Sequence, residues 1–348
     1  MPCRGHFRRA LLAALIVLPM IGLVDRAPIA KAEDVVVLRP TPSNAHPRPI
    51  KGEILDYTGR ELRIQLATGR QRSIKPELVE RVDTARCAEH ESGDRLFAGG
   101  EFRAAESKYR EAIESNREVR PWVRREILAQ IVWCYTNIGQ AEQAGQVFLM
   151  LIQRDPDTLY FDCIPLAWTD EAPSRELAAR AASWLAATDH PVAVLLGASH
   201  LLTTDRRAAA LQQLRILSEG EQPRVAWLAQ TQIWRTETAG STADQLAAWS
   251  RLLDASDEAL RAGPYFVLGT ALARHDGRKA ALALLEVPIM YPRQQRLAAA
   301  ALLSAGGCLE STGDVGEAAR LYREILDQHA TSVEKGEAAR RLDQIARQ

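Results

Sequence analysis

Few residues of this sequence have the types and spacing that catalysis requires. There is no G-x-x-x-x-G-K-[ST] phosphate-binding motif and no HExxH zinc motif. The tetrapeptide Gly197-Ala198-Ser199-His200 places a serine beside a base, as a hydrolase nucleophile would require. It lacks the second glycine of a nucleophile elbow and lies in a predicted helix. We interpret it as a helix with Gly197 at a helix crossing, and we predict a non-enzyme without cofactor or metal.

The other histidines and the cysteines also lack the spacing of metal ligands. The five histidines that follow residue 85 are scattered, and each is predicted to be solvated or packed: His90, His190, His200, His275 and His329. Four cysteines follow residue 32, without any CxxC pair: Cys87, Cys134, Cys163 and Cys308. Isolated helical cysteines are usually small buried hydrophobes, whereas export would permit disulfides. The sequence leaves this choice open.

The N-terminal residues predict export. An apolar run from Ala10 to Val24 follows three basic residues, Arg4, Arg8 and Arg9. This run is shorter than the roughly 20 residues of a membrane-spanning helix, and Ala30-Lys31-Ala32 is a small-x-small cleavage site. We predict a signal peptide over 1–32, cleaved after Ala32, with a retained anchor as the alternative. The mature chain is expected in the periplasm, the cell envelope or outside the cell, without a transmembrane span.

Composition indicates a folded protein without a large net charge. Of 348 residues, 47% are hydrophobic and 25% charged, and Lys+Arg and Asp+Glu each number 44. Nucleic-acid and anionic-lipid partners are therefore not expected. One alternative is RNA or DNA binding through four arginines of the N-terminal region, Arg60, Arg63, Arg70 and Arg72. Export and the lack of interleaved aromatic residues argue against it.

A small β module is predicted before the helices. Residues 33–49 are proline-rich and are interpreted as a linker with one short strand at Val35–Leu38. Over 50–85, Leu62, Ile64 and Leu66 alternate with polar residues, the pattern of a half-buried strand. Glycines at Thr58-Gly59 and Thr68-Gly69 separate four or five such strands. By pattern alone, the module resembles an SH3-like or Sm-like barrel.

From Arg86 onward, small and large residues recur with helical spacing. The first unit has the positions Gly93, Leu96, Gly100, Phe102, Ala105, Tyr109 and Ala112. A small residue is needed where two helices cross, a large ring fills the next gap, and glycine permits the tight connection. The same register recurs at Leu128–Pro156, with its turn at Gly139, and at Leu302–Ile325, with its turn at Gly313. It is fainter at Gly197, Ala209 and Ile216.

This spacing resembles the tetratricopeptide repeat (TPR) family, in an exported bacterial form. The resemblance implies a mainly α fold: a TPR-like α-solenoid of helical hairpins preceded by the SH3/Sm-like β module. TPR repeats 1 and 2 would occupy 86–158, degenerate hairpins 159–298, the C-terminal TPR 299–332 and a capping helix 333–348. The degenerate part includes two predicted helices, Val225–Thr236 and Ser241–Leu253.

The resemblance also implies a protein-binding groove along the inner helices. Transferred by register, its residues are His90, Asp94 and Phe97, then Ala129, Trp133, Thr136 and Asn137, then Phe266 and Arg274. Some TPR domains clamp a peptide carboxylate with lysine and asparagine at these positions. Since His90, Asp94 and Trp133 stand there, we expect a mixed aromatic and polar groove instead, with Trp133 as an apolar anchor.

The stretch Thr158–Trp168 is the most unusual part of the chain, because aromatic and apolar residues surround a proline that prevents a long helix. Two interpretations are open: an apolar loop that closes a binding groove, or a connector that fills an irregular joint between repeats. We favour the connector.

These features together predict a non-catalytic scaffold or adaptor that binds a protein or peptide in the cell envelope. One alternative is an accessory factor of envelope assembly or division, since Leu321–Leu342 resembles the closing repeat of Tol-Pal-associated or outer-membrane-assembly TPR proteins. A further alternative is the regulatory subunit of an envelope enzyme.

Overall fold

The computed structural model describes residues 33–42, 44–329 and 331–347. These residues form 14 α-helices and one small antiparallel sheet of five strands near the N-terminus, and 61% of them are helical. None of the helices within these ranges is long and apolar enough to cross a membrane. The predicted signal peptide over 1–32 lies outside the described residues.

The sheet follows the predicted alternation of apolar and polar residues. Its strands are β1 (Asp34–Leu38), β2 (Ile50–Tyr57), β3 (Leu62–Gln65), β4 (Gln71–Ile74) and β5 (Val79–Asp83). Neighbours pair antiparallel in the order β4-β3-β2-β1-β5. Leu62 and Ile64 are fully buried, whereas Arg63 between them is exposed. This confirms the predicted strand.

The sheet begins earlier than the predicted module boundary at residue 50. The predicted strand in the linker forms, but as β1 it pairs with β2 on one side and β5 on the other. It supplies the backbone partners of two strands, and Val36 is fully buried. Strand β1 is therefore part of the module. Of the predicted linker over 33–49, residues 39–49 remain as the connection between β1 and β2.

The helices occupy the remainder of the described chain. They are α1 (Ala88–Ala98), α2 (Phe102–Glu114), α3 (Pro121–Asn137), α4 (Ala141–Arg154), α5 (Arg175–Leu185), α6 (Pro191–Leu201), α7 (Arg207–Ser218), α8 (Pro223–Arg235), α9 (Ala243–Ala255), α10 (Ala262–Leu272), α11 (Gly277–Met290), α12 (Gln295–Ser311), α13 (Val315–Gln328) and α14 (Lys335–Ile345). Successive helices pack on each other from α1 to α8 and from α9 to α14. Helices α8 and α9 confirm the two that were predicted in the middle region.

Three helical pairs turn at the predicted glycines. Gly100, Gly139 and Gly313 have φ of 75°, 78° and 85°, a left-handed conformation that side chains disfavour. They join α1 to α2, α3 to α4 and α12 to α13. The role predicted for glycine at these turns is confirmed.

The first and last of these pairs share the same crossing. A Cβ added to Gly93 would lie 2.6 Å from Tyr109 Cε1, and one added to Gly306 would overlap the ring of Tyr322 in the same way. Both tyrosines are fully buried. The Tyr109 hydroxyl donates to Asp94 at 2.7 Å, and that of Tyr322 donates to Glu310 at 3.1 Å.

In the middle region, the helix crossing predicted at Gly197 forms with the preceding helix. A Cβ at Gly197 would lie 2.5 Å from the carbonyl oxygen of Ala181, which belongs to α5. Gly197 therefore packs on the preceding helix and not on α7, and Ile216 of α7 is 57% exposed. The stretch 197–200 lies inside α6, as predicted.

The β module is tied to the helices by a buried arginine. Arg125 of α3 donates to the Asp56 carboxylate and to the Tyr57 carbonyl, the latter at 3.0 Å. The Gly59 amide donates to Asp155, at the end of α4, at 3.3 Å. The module therefore packs on α3 and the end of α4, as its small size requires.

The paired glycines of α12 give a direct test of the helix crossing. We expect Gly306→Ala to lower the free energy of unfolding by about 2 kcal/mol, because the added methyl group overlaps the buried Tyr322 ring. The matched control is Gly307→Ala, since no atom lies within 4 Å of a Cβ there. That change should stabilise the helix by up to ~1 kcal/mol. Urea denaturation measures both, and equal effects would contradict the assigned crossing.

Candidate functional site

The unusual stretch after residue 158 runs through the interior. Phe161, Cys163, Ile164 and Leu166 are all buried. Since buried backbone groups need hydrogen-bond partners, this irregular segment depends on side chains from neighbouring helices.

Arg235, near the end of α8, supplies two of these partners and also bonds α6. Its guanidinium donates to the carbonyl oxygens of Ala167 at 2.9 Å, Ser199 at 3.0 Å and Thr169 at 2.6 Å. The nearest carboxylate, Asp170, is 3.9 Å from Nε and highly exposed. Burial lowers the pKa of Arg235 to about 10, so it remains charged at neutral pH. Carbonyl dipoles therefore stabilise this charge.

Helix α6 holds the same segment from another side. The Ala167 amide donates to Ser199 Oγ at 3.2 Å, and His200 Nε2 lies 3.0 Å from the Pro165 carbonyl oxygen. Because a carbonyl only accepts, Nε2 must carry the hydrogen. Burial lowers the pKa of His200 to about 4, so the ring is neutral at pH 7. In this tautomer, Nδ1 is an acceptor.

Trp168, in the same segment, joins several parts of the core. Its indole packs against three separate clusters of buried side chains. A Cβ at Gly263 of α10 would overlap the ring, so that helix approaches closely only because it has glycine there. Through Trp168, the segment therefore contacts the buried cores of both the N-terminal and the C-terminal helices.

The outer side of the segment faces a cavity of about 490 Å³. The cavity lies between the end of α3, the start of α4, the segment Ile164–Leu177 and the start of α12. Its apolar walls include Trp133, Leu166, Trp168, Leu177 and Leu297. Ala172 and Glu176 are exposed at its edge, so it opens to solvent.

Contacts between distant parts of the chain close this cavity. Asn137 donates to the Arg293 carbonyl at 2.9 Å, and its own Oδ1 accepts from the Arg296 amide at 3.3 Å. The Arg296 side chain forms an ion pair with Glu171. The end of α3 thus meets the start of α12, although about 160 residues separate them.

Three of the predicted groove residues line this cavity, namely Trp133, Thr136 and Asn137. Trp133 is only 4% exposed. Its ring is part of a wall and not a projecting anchor, because α3 packs against neighbours on several sides.

The other predicted groove residues lie elsewhere. His90 is fully buried edge-on to Tyr109, because it lies one turn from the crossing at Gly93, and burial lowers its pKa to about 4. Phe97 packs on Phe102 with ring centroids 5.2 Å apart. The remaining four are Ala129 and Phe266, both buried, Asp94, which accepts from Tyr109, and Arg274, which donates to the Ala239 carbonyl at 3.2 Å.

The sequence did not predict the ion pair of Arg296 and Glu171 at the cavity or the role of Arg235 in holding the adjacent segment, and it predicted His200 only as a solvated or packed histidine. The sequence did contain one indication for Arg235: it directly follows the apolar residues Ile233 and Trp234 in a predicted helix, where a buried cation would need partners. For Arg296 and Glu171 no local pattern exists, because their pairing depends on how α12 meets α3.

A second cavity, of about 670 Å³, lies between the sheet and the start of α3. Its charged side chains largely neutralise one another: Arg120 pairs with Glu118 at 2.7 Å and lies 3.7 Å from Asp34. The cavity beside Trp133 is the better binding candidate because two indoles line it.

No family model, no curated protein and no solved structure matches this chain. The TPR resemblance stays a prediction from residue spacing. Within the described ranges the four cysteines are free.

The buried guanidinium of Arg235 gives a stability prediction. We expect Arg235→Leu to lower the free energy of unfolding by about 3 kcal/mol, since the Ser199 and Thr169 carbonyls would lose this donor and the Ala167 carbonyl would keep only Gln232. Arg251→Leu, at an exposed position of α9, is the matched control and should change it by less than about 0.5 kcal/mol. Chemical denaturation measures both variants. A similar small loss in each would contradict the assigned role.

His200 gives a pH prediction. Its pKa is lowered from 6.5 to about 4, so between these values the unfolded chain binds a proton that the folded protein does not. Stability therefore falls as pH falls from 6.5 to 4, and His200 contributes ~3 kcal/mol of that fall. His200→Gln keeps a donor for Pro165 and should reduce the fall by this amount. Denaturation at a series of pH values, with exposed His190→Gln as control, measures it. An unchanged pH profile would contradict the assignment.

Proposed function

We propose that this chain is an exported, non-catalytic scaffold that binds a segment of a partner protein in the cavity beside Trp133. The observation that carries the proposal is the cavity itself. Its volume of about 490 Å³ falls within the range of ligand-binding clefts and suits one or two side chains of a peptide.

The chemistry of the walls supports binding rather than catalysis. Trp133 and Trp168 provide aromatic surface, and Asn137 and Arg296 place polar groups at the edge. Aromatic walls with a few polar groups are typical of peptide recognition. His200 is the most deeply buried titratable residue at the cavity. Its Nε2 donates a hydrogen bond to the Pro165 carbonyl, so this side chain stabilises the segment.

We further propose that the helices form a TPR-like α-solenoid. The matching crossings at Gly93 and Gly306 support this, as do the left-handed glycine turns and the packing of successive helices. The inner surface of such an array binds extended segments. Here α6 and α8 already hold the chain's own segment at Pro165–Thr169, and the partner would bind on its free side.

The export pattern of residues 1–32 supports a location in the cell envelope or outside the cell. A scaffold there would act through the partners that it holds.

Selection from a displayed random-peptide library tests the proposed binding. Ala172 is exposed at the cavity edge, so Ala172→Trp should fill the opening without disturbing the core. The matched control is Ala208→Trp, at an exposed position of α7 away from the cavity. Peptides selected on the parent should bind the control equally and lose roughly tenfold or more in affinity for Ala172→Trp. Peptides that bind all three proteins equally would contradict the proposed site.

A further inference from the structure

The charges around the cavity identify the chemistry of its occupant. Resting on the proposed function, we infer that the partner segment is basic and places a lysine or arginine side chain in the cavity next to an apolar residue.

Carboxylates outnumber cations among the described residues that line the cavity. Four glutamates line it, Glu142, Glu171, Glu176 and Glu334. Arg296 is the one lysine or arginine among those residues. An acidic partner would be repelled here, whereas a basic one would be attracted.

Two of the four carboxylates are already neutralised. Glu171 pairs with Arg296, and Glu142 pairs with Arg180 of α5 at 3.1 Å. Glu176 and Glu334 have no ion-pair partner among the described residues, and Glu334 Oε2 is buried without a hydrogen bond. A buried oxygen without a donor is costly, so a ligand that supplies one is favoured.

His200 adds a neutral acceptor. Its Nε2 donates to the Pro165 carbonyl, and Nδ1 has no partner within the described part of the chain. The side chain lines the cavity and is 6% exposed. His200 Nδ1 and the carboxylates of Glu176 and Glu334 are therefore acceptors without a partner among the described residues, and lysine and arginine side chains carry only donors.

The apolar walls account for the rest of the ligand. Trp133 and Trp168 can pack against the methylene stem of a lysine or arginine, and indole faces attract cations. Leu166, Leu177 and Leu297 leave apolar surface for a neighbouring hydrophobic residue.

A series of synthetic hexapeptides tests the inference on the full chain. The peptides are acetylated and amidated, carry one fixed leucine, and vary one adjacent position among lysine, arginine, norleucine, glutamine and glutamate. We expect the lysine and arginine peptides to bind roughly tenfold more tightly than norleucine or glutamate, and to weaken as salt rises. Fluorescence polarisation at two salt concentrations measures the affinities.

Isosteric variants locate the effect. The double change Glu176→Gln and Glu334→Gln should remove most of the lysine preference, because it removes both unpaired carboxylates. Glu219→Gln, at the exposed position that directly follows α7, should leave it unchanged.

The outcomes separate the two proposals. If neutral or acidic peptides bind the parent as well as basic ones, and all are lost in Ala172→Trp, the basic-ligand inference is overturned and the proposed site stands. If no peptide binds in a way that depends on Ala172, both proposals are overturned.

Discussion

The arrangement of this protein depends on the hydrogen bonds between Arg235 and the backbone at Ala167, Thr169 and Ser199. An irregular segment lies in the core, and this guanidinium donates to two of its carbonyls while His200 and Gln232 supply further partners. The charge is in turn balanced by those dipoles. Arg235 therefore helps to position the segment whose Trp168 contacts three clusters of the core.

The fixed segment shapes the cavity in which we propose that a partner binds. On its inner side the segment covers the faces of α6 and α8 that bond it. In the proposed repeat array, these faces would otherwise be open to a ligand. On its outer side the segment presents Leu166 and Trp168 to the space left by α3 and α12. The segment thus combines both interpretations of its sequence: it fills an irregular joint, and it also forms one wall of the proposed groove.

Local patterns predicted those parts of the fold that local contacts determine. The turn glycines, the crossing of Gly93 with Tyr109 and the alternation around Leu62 all follow from residues close in sequence. The cavity could not be predicted in this way, because Asn137 meets Arg296 across about 160 residues. Groove positions transferred by register failed at His90 because its side chain packs inside the hairpin. The predicted crossing at Gly197 forms with α5, which the spacing alone did not specify.

Photo-crosslinking in the organism's own cells tests most directly whether a partner chain occupies the cavity. A photoreactive phenylalanine analogue is placed at position 172 of the full chain, at the cavity edge, and in a second protein at position 208 of α7. We predict a light-dependent covalent adduct with another protein at position 172 and none at position 208. Adducts at both positions alike, or none at position 172, would contradict the account.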